Sequence, residues 1–256
     1  MEIIIVAIAS FFAALLTFFS GFGLGTLLMP VVAIFFPPAI AVAITAVVHF
    51  ANNILKFFLV AKNAEIRTLL YFGAPAVLFA FLGAYLLGSL SNMGTLYEYV
   101  LFGKTFFITP LKLSIGLLIL FFVLLESLPF FSQIALDKKW LPFGGALSGF
   151  FGGLSGNQGA FRSMFLLKAG LSKEQFIATG VVLAVMVDSA RMLIYGESFL
   201  QSSEIEWSMV AIAIVAAFLG TLVGNRLLKK VSINFIRIVV AVLLSVISLG
   251  LICGIL

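Results

Sequence analysis

Apolar residues run through this chain in stretches that a soluble core cannot absorb. Glycine interrupts two of them, at Ser20-Gly-Phe-Gly-Leu-Gly25 and at Gly152-Gly-Leu-Ser-Gly-Asn-Gln-Gly159. Of 256 residues 63% are hydrophobic, 29 are Phe and only 10% carry charge, which reads as a polytopic membrane protein. Hydrocarbon supplies no hydrogen-bond partners, so spanning backbone must be helical. Backbone that leaves the helix survives there only against protein or a water-filled cavity. A pair of such breaks, one in each half, is the sequence sign of a transport site.

Windows of about 20 apolar residues predict spanning helices near 39–60, 68–90, 110–130, 173–195, 207–228 and 233–255. The stretches 3–35 and 141–168 do not fit as single spans: cut at its break, each arm of 141–168 is shorter than the roughly 30 Å hydrocarbon core. A re-entrant hairpin suits both. Charge supports this arrangement, because Lys and Arg concentrate in short cytoplasmic loops. With hairpins, Lys62, Arg67, Lys138, Lys139, Lys168, Lys173, Arg226, Lys229 and Lys230 gather on the inner side, and Lys104 and Lys112 lie at the outer one. Eight simple spans would put five of these inner residues outside.

The expected fold is therefore all-α, with two inverted repeats, each a Gly-broken re-entrant hairpin plus three transmembrane helices. The boundaries are 1–130 for the first repeat, 131–140 for a cytoplasmic linker and 141–256 for the second repeat. Internal similarity is thin: at an offset of 135, Ser20-Gly21 meets Ser155-Gly156 and Lys56 meets Arg191, while Phe81-Leu-Gly83 returns as Phe218-Leu-Gly220. Opposite topology carries the repeat more than these identities do.

Several functions are excluded or unsupported. The net charge of +5 is scattered singly between apolar segments and reads as topology rather than nucleic-acid binding. The single cysteine, Cys253, rules out an intrachain disulfide. No Walker A sequence, metal-ligand cluster or nucleophile elbow is present, so no cofactor is expected, and coupling would come from a gradient.

A two-half chain whose apolar stretches carry an S-G-x-G-x-G-like break followed by proline resembles the TauE/SafE (TSUP) family of membrane anion exporters. The first half carries the match, Ser20-Gly21-Phe-Gly23-Leu-Gly25-Thr-Leu-Leu-Met-Pro30, continuing through Pro37-Pro38-Ala39 and the Ala-rich helix 41–56. The second half departs from it at Ser155-Gly156-Asn157-Gln158-Gly159-Ala-Phe-Arg162, with Phe165 where proline is expected. The resemblance implies a multi-pass protein of the prokaryotic cytoplasmic membrane that moves sulfite or another small sulfur-containing anion, the bilayer and that anion being its partners. It leaves assembly as a homodimer open. The alternatives are a carrier of a larger organosulfonate or carboxylate and, in another class, a membrane-embedded enzyme or a non-transporting assembly subunit.

Intramembrane polar residues are the candidates for the chemistry. His49, Asn52, Asn53 and Lys56 fall on one face of the 39–60 helix. The stripe faces either a cavity or a neighbouring helix, and His49 is either a packing residue or a proton-sensitive ligand. Asp188 and Arg191, at i and i+3, form either an internal ion pair or part of an access path, with Lys56 as the related cation on the opposite approach. Arg162 adjoins the second break and is the best candidate anion ligand, since a guanidinium stays charged and presents a planar fork to an oxyanion. Its other reading is snorkelling to the interface. Gly21, Gly23 and Gly25, with Ser155 to Gly159, would let the hairpin tips approach each other. Helices starting at Thr26 and Ala160 would aim N–H groups at the anion. Gly83 and Gly220 read as helix packing.

Overall fold

In a computed structural model of the chain, residues 1–20, 23–127, 136–227 and 233–256 are described. Ten helices are found among them: α1 (Glu2–Ser20), α2 (Leu24–Val32), α3 (Pro38–Val60), α4 (Ile66–Ser91), α5 (Pro110–Ser127), α6 (Leu141–Ser155), α7 (Gly159–Leu166), α8 (Lys173–Ser198), α9 (Trp207–Leu227) and α10 (Ile233–Ile252). A hairpin of β1 (Tyr97–Leu101) and β2 (Lys104–Ile108) joins α4 to α5. Gly21, residues 131–135 of the expected linker, Lys229 and Lys230 lie outside the described residues. Among the described residues, four helices are long and apolar enough to cross a membrane: α3, α4, α8 and α9. The protein is thus a polytopic, mainly helical membrane protein.

Both glycine-bearing stretches are broken helices. The first break separates α1 from α2, and the second separates α6 from α7. At 15 residues, α6 is about 22 Å long, short of the hydrocarbon thickness. The helices after the breaks start earlier than the sequence suggests. Gly23 is the extended N-cap of α2, which begins at Leu24 rather than Thr26, and α7 begins at Gly159 rather than Ala160.

Local sequence sets the other boundaries. Pro37-Pro38 opens α3, where a missing N–H costs nothing. Ser172 and Gln175 close a capping box on α8, their side chains exchanging hydrogen bonds with each other's backbone N–H. Within α4, residues Leu69–Gly73 widen into a π-helical turn just before Pro75, whose missing N–H breaks the regular ladder.

The helix before each break packs along a helix of the other half: α1 lies on α9, and α6 lies on α4. Glycines make both contacts. On α6, Gly145, Gly149 and Gly153 sit where a Cβ would collide with the carbonyls of Phe72, Ala76 and Ala80. On α4, Gly83 meets the backbone of Phe150, and on α9 Gly220 meets the carbonyl of Phe11. Lipid removes most of the hydrophobic drive for helices to associate, so close backbone approach through small residues takes over. The other main pairs are α3 with α8, α5 with α10 and α4 with α8.

Candidate functional site

Both breaks end at the same place. The Thr26 hydroxyl, in the first turn of α2, donates to Asn157 Oδ1 at 2.9 Å. A Cβ on Gly25 would lie 3.5 Å from the carbonyl oxygen of Gly156. The second break turns at Gly156, whose φ of 82° is left-handed and suits glycine. Across it, Phe151 of α6 stacks on Phe161 of α7 with centroids 5.3 Å apart, and Phe122 of α5 meets both rings edge-on.

A helix that stops inside a membrane leaves carbonyls to satisfy. At the end of α6, side chains of α8 do so: Arg191 Nη1 donates to the Gly152 carbonyl at 3.4 Å, and the Tyr195 hydroxyl donates to that of Gly153. Arg191 is itself fixed by Asp188, which accepts its Nε at 3.0 Å and its Nη2 at 2.7 Å. The other Asp188 oxygen pairs with His49 Nδ1 at 2.7 Å and accepts Asn53 Nδ2 at 3.2 Å. Asp188 and Arg191 are 0% and 1% exposed. Of the two readings of Asp188 and Arg191, the structure shows the internal ion pair.

The polar stripe of α3 divides. Asn52 turns to α9 and accepts the Thr221 hydroxyl at 2.8 Å. His49 and Asn53 meet Asp188 while bordering a cavity of about 340 Å³, which Lys56 also lines. Arg162 and Lys173 complete a set of three cations in its wall, and among the described residues no Asp or Glu lines it. Thr17, Gly23 and Ser163 add small and polar surface, while Leu24, Leu166, Phe176, Ile177 and Val181 make an apolar side. Arg162 Nη1 is buried with no hydrogen-bond partner. So are both side-chain polar atoms of Gln158, four residues earlier at the break.

Other sequence candidates are occupied within the protein. Ser155 donates to the Phe151 carbonyl of its own helix at 3.1 Å, Asn157 accepts Thr26, and Gly159 is the first residue of α7. Sequence reasoning missed Lys173 and Thr17 as lining residues and Tyr195 as a partner of the break. Lys173 read as one more loop cation, and nothing in its neighbours marks it as bordering a cavity. Tyr195, one turn beyond Arg191 on the same face, could have been found by helical spacing. Among the described residues no group of three or more His, Cys, Asp or Glu is placed to hold a metal ion.

Broken helices meeting inside a membrane-embedded bundle, beside a cavity walled by cations, define a membrane protein of the transporter class. No curated protein and no solved structure matches the chain. The sequence model of the sulfite exporter TauE/SafE family matches residues 6–251, and the chain belongs to that family.

Proposed function

We propose that this protein is a secondary transporter that moves sulfite or a related small sulfur-containing anion by alternating access, with the anion held in the cavity beside the two breaks. The observation that carries this is Arg162 in the wall it shares with Lys56 and Lys173: among the described residues its Nη1 is buried without a hydrogen-bond partner. Burying a charge costs several kcal/mol, and an oxyanion at Arg162 would offset that cost. Arg162 supplies the planar fork, with Lys56 and Lys173 as point charges. Asp188 and Arg191 act behind the cavity by holding His49, Asn53 and the end of α6.

Alternating access requires two halves that exchange roles, as inverted repeats do. The packing supports this reading: α1 on α9 and α6 on α4 are interchanged if the halves 1–130 and 141–256 are exchanged, while α3 with α8 and α5 with α10 map onto themselves. The setting of this proposal is the cytoplasmic membrane of a prokaryote.

A second reading concerns the substrate. At about 340 Å³ the cavity exceeds what a bare oxyanion fills, being about ten times the volume one water occupies in the liquid. Its apolar side favours an anion with a short hydrocarbon tail. Calorimetric titration of purified protein at matched ionic strength tests both readings. Sulfite or sulfoacetate should bind, Arg162→Gln should lose at least tenfold in affinity, and Arg162→Lys should recover only part of it. Unchanged binding by Arg162→Gln would move the site away from this cavity.

A further inference from the structure

A second cavity, of about 560 Å³, lies among three loops that the charge pattern puts on the cytoplasmic side, near 61–68, 138–142 and 169–175. From it we infer a binding site for the phosphate headgroup of an anionic phospholipid. The inference is independent of what the central cavity carries.

The cavity wall contains Arg67 at the start of α4 and Lys138 and Lys139 just before α6. None of the three makes an ion pair among the described residues. Among the described residues the one carboxylate in the wall, Glu65, is engaged as a helix cap, accepting the backbone N–H of Arg67 at 3.1 Å and of Thr68 at 2.6 Å. The Lys138 amine rests over Gly170, where φ is +70° and a Cβ would stand 3.0 Å from Nζ. Helices α4, α6 and α8 all begin at this cavity, so their positive ends add to the cationic field.

The rim decides between a lipid and a free anion. Beside the cations, Ile66, Leu70 and Tyr71 of α4, together with Trp140 and Phe143 at α6, are exposed large apolar side chains. Exposed Trp and Tyr next to Lys and Arg mark the level where headgroups meet hydrocarbon. Tyr71 also lies under the Arg67 guanidinium, 5.7 Å from ring centroid to Cζ. A phosphodiester held by Lys138, Lys139 and Arg67 would have its acyl chains beside Leu70 and Phe143. A soluble phosphate would leave that apolar rim without a use.

The test uses the full chain in a neutral detergent, titrated with dihexanoyl phosphatidylglycerol, dihexanoyl phosphatidylcholine and inorganic phosphate. Phosphatidylglycerol should bind in preference to both others. Arg67→Gln/Lys138→Gln/Lys139→Gln should weaken it by a factor on the order of a hundred, and Lys138→Gln alone by about fivefold. Sulfite affinity should be the same in these variants as in the wild type, which separates this site from the central one and reports correct folding. Equal binding of both lipids, or wild-type affinity in the triple variant, would overturn the inference. Inorganic phosphate binding as tightly as phosphatidylglycerol, and lost with it in the triple variant, would replace the lipid with a soluble anion and also overturn it.

Discussion

Around the first break the described groups are few. Gly23 has only Thr26 and Gly25 near the place of its missing Cβ, and Thr26 reaches across to Asn157. Around the second, Arg191 and Tyr195 hold the end of α6, Asp188 fixes Arg191, and three aromatic rings bridge the two arms. Among the described residues the first break meets the cavity at Gly23, while the second carries most of the polar contacts that hold its helix end.

The largest expected effect falls on the fixed side. Asp188→Asn would leave Arg191 buried without its countercharge and loosen His49 and Asn53 together. Breaking a buried pair from one side costs about 3–5 kcal/mol. The variant should therefore lose most of its monodisperse protein on size-exclusion in detergent. Recovery of well-folded Asp188→Asn at wild-type yield would mean that the ion pair does not anchor the second break, and the contrast between the breaks would fail.

Much of this contrast was legible in the sequence because hydrocarbon is a strict solvent. The breaks, the spans and the i, i+3 spacing of Asp188 and Arg191 follow from length, hydropathy and helical period. Contacts between segments distant in the chain were not legible. Lys173 opens α8 and reads as a loop charge, yet the fold puts it in the same cavity wall as Lys56 and Arg162. Likewise β1 and β2 fall between the predicted spans 68–90 and 110–130 without a sequence signal, since their turn at Phe102-Gly103 lacks the Asn-Gly or Asp-Gly pair of a tight hairpin. The Tyr99 hydroxyl ties that hairpin to the Cys253 carbonyl at 2.6 Å, a contact 154 positions away that local pattern cannot announce.

A finer test compares the glycines themselves. At Gly156 an alanine would have to adopt a left-handed φ and place its Cβ 2.9 Å from Arg191 Nη1. At Gly23 the backbone is extended, with φ of −76° and ψ of 144°, and among the described residues the atom nearest an added Cβ is Thr26 Oγ1 at 3.6 Å. Gly156→Ala should therefore cost about 1–3 kcal/mol and Gly23→Ala less than about 0.5 kcal/mol. Thermal unfolding in detergent reads the difference, and equal shifts would show that the two breaks are conformationally alike. Gly23→Leu, which projects into the cavity wall, should weaken sulfite binding with little change in melting temperature.

The smallest effect extends the comparison to the starts of α4 and α9, the helices that receive α6 and α1. Glu65 precedes α4 and accepts two backbone N–H groups, whereas Glu206 precedes α9 and accepts the Ser208 hydroxyl at 2.8 Å. Hydrogen bonds from Thr68 hold the Glu65 carboxyl below its ordinary value of 4.5, against a smaller opposing effect of burial, with Arg67 adding to the lowering. Because the folded state favours the ionised form, the stabilisation is present above the unfolded pKa and disappears as pH falls through the lower folded value. Glu65→Ala should cost less than about 1 kcal/mol near neutral pH, as a lost cap does, and Glu206→Ala less still. In melting curves taken across pH, the gap between wild type and Glu65→Ala should close toward the acid end. A gap that persists there would assign the stabilisation to packing around Thr179, whose hydroxyl accepts the Glu65 N–H at 2.9 Å.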